Sequence, residues 1–180
     1  TYEYERLIEL AHQNGMLVYA WFVLPFVSPK FYQDNPQWHE KNPFGEDVDV
    51  DWRNAMALTD PECMEAVKKH LKKYLERFSF DGVNLAGLHF GGESLEKPKT
   101  LSPFNEAACK GFSEKNGFDP RDLLKEESPR FWKESPENLN LFFAWRKNLT
   151  TELHRELIGF FGGLSKNKNT ALVVTTLDGM

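Results

Sequence analysis

Two carboxylates stand where a hydrolytic site would need them. Glu93 follows Phe90-Gly91-Gly92, and paired glycines let a loop turn tightly and come close to a ligand. Asp178 stands just past the apolar segment 171–176. Glycosidic-bond cleavage uses such a pair, one carboxyl held protonated as acid and the other serving as nucleophile or base. Separations of about 5 Å accompany retention and about 6.5–9.5 Å inversion. Catalytic roles are therefore expected at Glu93 and Asp178. The plain alternatives are a solvated loop glutamate and an Asp-Gly turn. Asp81 opens its segment at the opposite end and is expected to be structural.

Substrate contacts are expected from Trp21, Trp38 and Trp52, whose ring planes can stack on the C–H faces of sugars. Packing is the alternative for all three. Asn84 alternates with Val83 and Leu85, so it can face a ligand or join a buried polar network. His89 could donate to a sugar hydroxyl or move a proton, or simply be exposed. It has no companions for a metal, and no metal or cofactor is expected. Asp47, Asp49 and Asp51 alternate as in a cation loop but lack its glycine and closing glutamate, so a solvated loop is the better reading. The spacing of a dinucleotide loop is missing around Gly91-Gly92.

Composition narrows the partners. Net charge is −5, which does not fit a phosphate-binding surface for nucleic acid. Lys68, Lys69, Lys72 and Lys73 sit at helical spacing beside Glu65 and Glu76, as on a solvated helix face. No apolar run reaches the ~20 residues of a membrane helix. Cys63 and Cys109 make neither a disulfide framework nor a zinc site. Asn148-Leu149-Thr150 matches a glycosylation acceptor in mid-helix.

The elements that position these groups alternate. Residues 4–14 read as a helix stopped by Asn14-Gly15. Residues 16–24 are continuously apolar, as in a parallel strand covered on both faces. A long irregular stretch follows to about residue 58. Thr59-Asp60-Pro61-Glu62 starts a helix to about Phe78, capped by Thr59 or Asp60; with Thr59 as cap, Glu62 completes a capping box. Residues 80–85 form the next strand. Ser102-Pro103 opens a helix to Asn116-Gly117, and a turn covers 119–124. Ser135-Pro136 opens the longest helix, with Phe142, Phe143, Leu149, Leu153 and Leu157 inward, ended by Gly162-Gly163. Residues 171–176 are the third strand.

This order predicts parallel strands with right-handed crossovers. Three strands in 180 residues are too few for a barrel of roughly 250 residues. The expectation is an α/β fold, a parallel (β/α)8 TIM-type barrel, of which residues 1–180 are a single segment cut at both ends. The rival is a small open α/β sheet.

Several passages carry a resemblance. His12-Gln-Asn-Gly-Met-Leu-Val-Tyr-Ala-Trp-Phe22 resembles the helix-to-strand passage of a glycosyl-hydrolase-like barrel family. Leu58-Thr-Asp-Pro-Glu62 resembles its following helix start. Phe80-Asp-Gly-Val-Asn-Leu85 resembles its FDGV strand, shared with alpha-amylase barrels. Ser102–Glu106, Gly117–Pro120 and Leu149–His154 continue the likeness over nearly the whole chain. The resemblance implies a (β/α)8 fold, an oligo- or polysaccharide ligand, an active site at the strand C-terminal ends, and an extracellular or periplasmic setting. One departure matters. The amylase-like nucleophile would fall at Ala86, with Gly87 beside it, and neither can attack an anomeric carbon. The resemblance thus leaves three readings: a glycoside hydrolase, a non-catalytic carbohydrate-binding barrel with emptied acid positions at Ala86 and Gly87, and a lyase or deacetylase on the same fold.

Overall fold

A computed structural model describes residues 2–92, 95–168 and 171–175. Among them the chain forms α1 (Tyr2–Gln13), β1 (Tyr19–Val23), α2 (Pro29–Asp34), α3 (Pro61–Arg77), β2 (Gly82–Ala86), α4 (Glu106–Asn116), α5 (Pro136–Lys168) and β3 (Ala171–Thr175), with short 3-10 turns at Pro36–Trp38, Pro98–Thr100 and Pro120–Leu124.

The strands are parallel in the order β1-β2-β3, and Trp21, Asn84 and Val173 stand level across them. The expected (β/α)8 TIM-type barrel is overturned. Among the described residues three strands make an open sheet with β1 and β3 as its edges, and no ring of strands closes. The reason is geometric: neighbouring strands rotate by only about 20–25°, so three of them cannot curl back on themselves. The open α/β sheet is the arrangement found.

The chain divides into two compact units: residues 1–24, 65–88 and 154–180, and residues 25–64 and 89–153. In the first unit, alternation sends Ala20, Phe22, Val83 and Leu85 to one face of the sheet. Phe22 stacks on Phe161 of α5 with centroids 5.8 Å apart. Val67, Leu71 and Leu157 of this unit are buried as well. The opposite face carries Tyr19, Trp21, Val23 and Val173, all exposed. The expectation that the first strand is covered on both faces therefore fails. Its run of apolar residues has one covered side and one bare side.

The second unit is built around aromatic packing. Phe112 of α4 meets Phe142 and Trp145 of α5 edge-on, with centroids 5.9 and 5.5 Å apart. Phe104, Leu101 and Leu123 close the cluster. The stretch 25–58, expected to be irregular, contains α2 and is tied by isolated bridges at Phe26–Ala55, His39–Met56 and Lys41–Asp47. Prolines hid these short elements, because each starts with one.

Three helix ends differ from expectation. Asp60, not Thr59, caps α3, its Oδ1 accepting from the N–H groups of Glu62 and Cys63 at 2.8 and 3.2 Å. Thr59 is engaged elsewhere, its hydroxyl bonded to Asn105. Asn105, rather than Ser102, stands at the start of α4, which ends as expected at Gly117 with φ 79°. α5 runs through Gly162-Gly163 to Lys168. Each glycine costs about 1 kcal/mol in a helix, too little to end one whose neighbouring turn is anchored by buried Leu157 and Phe161.

Candidate functional site

In the first unit, Trp21 and Asn84 come together on the bare face of the sheet. They are register partners on β1 and β2. The Trp21 side chain is 69% exposed, an unusual state for an indole in a parallel strand. The Asn84 Oδ1 accepts a hydrogen bond from the Thr175 hydroxyl at 2.9 Å, which fixes the carboxamide. Its Nδ2 hydrogens meet no acceptor among the described residues. The result is a flat ring beside two oriented N–H donors.

Ala86 ends β2 on the same face as Asn84, and its small side chain is buried. Gly87 follows with φ 66°, and a Cβ there would lie 2.9 Å from the Val23 side chain. Close packing thus explains the small residues where an amylase-like nucleophile would stand. At the other end of β2, Asp81 is structural, as expected. Its Oδ2 accepts from the Val18 N–H at 2.7 Å and lies 2.9 Å from His12 Nε2. Its own backbone bonds both Val18 and Ala171. The Val18 N–H, with His12, holds this carboxyl below the usual range.

His89 lies in the second unit, in a cleft of about 410 Å³ that also takes in Phe26, Asp49, Asp51, Arg53 and Lys97. Its ring meets the edge of Phe26 with centroids 6.3 Å apart. The Arg53 guanidinium lies 4.6 Å from the centroid of the same Phe26 ring. Phe90, Gly91 and Gly92 form a further wall. Gly92 takes φ 80°, the tight turn expected of this pair. A Cβ on Gly91 would stand 2.7 Å from the Thr100 carbonyl oxygen, and one on Gly92 would meet the Leu101 backbone. The two glycines let the loop lie flat on its own neighbour.

Arg146 of α5 pins that wall. Its terminal nitrogens donate to the carbonyls of Phe90, Gly91 and Gly92 at 3.2, 2.8 and 3.2 Å. Burial pulls its pKa down to about 10, against the opposing pull of Glu40's charge. Glu40 itself is 2% exposed. Burial pushes its carboxyl up to about 8, although the Lys41 N–H and the charge of Arg146 oppose this. A carboxyl protonated at neutral pH is what a general acid needs, but Glu40 is sealed away from solvent.

Asp47 also organises the second unit. It accepts from Lys41 Nζ at 2.6 Å and Tyr32 Oη at 3.1 Å, and lies 2.8 Å from His39 Nδ1. Burial acts to raise its pKa, but these bonds hold it low. The alternating aspartates are thus a loop anchor at Asp47 and a local turn at Asp49, whose Oδ1 accepts from the Asp51 N–H at 3.4 Å. Among the described residues no group of three or more His, Cys, Asp or Glu side chains could hold a metal ion, and no helix is long and apolar enough to cross a membrane. Cys63 and Cys109 are free and buried, which pushes both thiols up to about 12.

The other expected contact residues are not gathered. Trp38 is half-buried in a 3-10 turn, its carbonyl accepting from the Ala57 N–H at 2.8 Å. Trp52 is 87% exposed between Asp51 and Arg53 without lining the cleft. Glu93 and Asp178 lie outside the described residues. Sequence reading missed Arg53, Arg146 and Glu40. Arg146 left a signal: it falls on the apolar stripe of α5, four after Phe142 and three before Leu149, where a charge has to be explained. Compared with known proteins, the chain matches no family model and no curated sequence.

Proposed function

We propose that this chain recognises oligo- or polysaccharide through the bare face of its sheet in the first unit. The observation that carries this is the exposed Trp21 ring level with Asn84, whose amide Thr175 holds and whose N–H donors meet no acceptor among the described residues. A sugar offers apolar C–H faces to the ring and hydroxyl oxygens to the amide. Such a pairing of ring and donor binds by stacking first and orients by hydrogen bonding second.

Cleavage of the glycosidic bond is the second reading. It rests on the sequence alone, in which Glu93 and Asp178 are the candidate carboxylates. Titration calorimetry with neutral oligosaccharides, alongside a reducing-end assay, tests both. Trp21→Ala should weaken sugar affinity by about 1–3 kcal/mol, and Asn84→Ala by about 1 kcal/mol. Unchanged affinity in Trp21→Ala would remove the binding proposal. Hydrolysis requires turnover that drops by orders of magnitude in Glu93→Gln or Asp178→Asn. Sugar binding without turnover leaves recognition as the activity.

A further inference from the structure

We infer that the cleft of the second unit is a separate site for the carboxylate of a uronic-acid sugar, a ligand class resting on the saccharide reading above. The cleft presents two kinds of polar group at once. Asp49 and Asp51 offer acceptor oxygens, which suit the hydroxyl donors of a sugar. Arg53 and Lys97 offer cationic donors, which suit an anion.

Arg53 is the decisive group. Its guanidinium is held on the Phe26 ring, 4.6 Å from the centroid. Its Nε donates to the Val50 carbonyl at 3.3 Å. The terminal nitrogens remain, and among the described residues their sole ionic neighbour is Asp51 at 4.0 Å. That aspartate side chain is 82% exposed, so water screens the pair and it holds the guanidinium weakly. A guanidinium fixed through its stem and plane, with its outer edge open, is prepared for a two-pronged grip on a carboxylate. Lys97 adds a second positive charge to the same cleft.

Acceptors and cations side by side select a ligand that is both hydroxylated and carboxylated. A neutral sugar would leave the outer edge of Arg53 with only the screened charge of Asp51. A plain anion would meet Asp49 and Asp51 with nothing to donate. Asp51 adopts a left-handed backbone, φ 59°, which few residues other than glycine take up without cost.

The test compares cellobiouronic acid with cellobiose by titration calorimetry on the whole chain. The acid should bind about tenfold more tightly, the effect of one good charged bond. Raising ionic strength from about 0.05 to about 0.5 M should erode only the acid's advantage. Arg53→Gln should bring the acid's affinity down to that of cellobiose, and Lys97→Ala should take part of the way. Thermal melts of the two variants report whether the fold persists. Trp21→Ala should weaken cellobiose and leave the acid's tighter binding in place, because that ring belongs to the first unit. Equal affinity for both sugars in the parent chain overturns this inference and leaves Trp21-dependent recognition standing. A preference that survives Arg53→Gln in a folded variant overturns it too. If neither sugar binds, both readings fall together.

Discussion

Glu40 and Arg146 are the most consequential single residues of the second unit, and their chemistry is that of buried charge. A carboxyl in an apolar surrounding loses hydration it cannot fully regain, so its proton is held more tightly than in the unfolded chain. The folded value near 8 lies above the ordinary carboxylate value of 4.5. The sign follows from linkage. The stability tied to this proton is fully present below the unfolded pKa and is lost as pH rises towards the folded one. The parent protein should therefore lose stability between about pH 4.5 and about pH 8, at up to about 1.4 kcal/mol per pH unit from this group. Glu40→Gln keeps the Oε1 acceptor for the Lys41 N–H and has no proton to lose. Its advantage over the parent should grow across that window, measured as midpoint of denaturant unfolding against pH. A difference that stays flat from pH 5 to pH 8 would refute the buried-acid account. Glu40 could not be foreseen, since its burial comes from loop packing around residues 25–58 that no periodicity announces.

At the scale of elements, the sheet shows what a sequence carries and what it does not. The continuous apolar run at 16–24 and the shorter segments at 80–85 and 171–176, alternating with helices, were enough to predict three parallel strands. They could not say how many faces are covered, because Tyr19, Trp21 and Val23 read the same whether buried or bare. Nor could they set the strand count that a barrel needs. Helix ends were legible where glycine takes a left-handed turn, as at Gly117, and misread where two cap candidates adjoin, as at Thr59 and Asp60. Of the expected site, Trp21 and Asn84 are each legible as candidates, but their pairing comes from the strand register, which no residue announces. The cleft of the second unit was not legible, since Phe26 and Arg53 meet through loops. One small residue in the sheet is open to direct test. Gly82 lies beneath the Tyr19 ring, and a Cβ there would also stand 2.7 Å from the Ala171 carbonyl oxygen. Gly82→Ala should cost about 1–3 kcal/mol by overpacking, despite alanine's usual advantage over glycine in the unfolded chain. A stabilised variant in chemical denaturation would mean that Tyr19 and β3 yield freely.

Across the whole molecule, the first unit is assembled from three separated stretches of chain and the second from two. The sheet of the first unit pairs Tyr19 with Gly82 and Gly82 with Ala171, so each strand pairing closes a long loop. Closing such loops costs entropy that local contacts must offset. β3 has little to offer in return: four of its five residues are exposed, and it lies at the edge of the sheet. In the second unit, α4 buries Ala108, Cys109 and Phe112 in an aromatic cluster. Opening free energies follow buried contact, so stability should be uneven along the chain. Native-state hydrogen exchange should find the hydrogen-bonded amides of β3 exchanging well before those in the middle of α4. Sugar bound at Trp21 and Asn84 should slow β3 specifically, because Thr175 of that strand holds the Asn84 amide in place. If β3 is protected as long as α4 in the free protein, the bare face is covered in solution, and Trp21 is a packing residue rather than a platform.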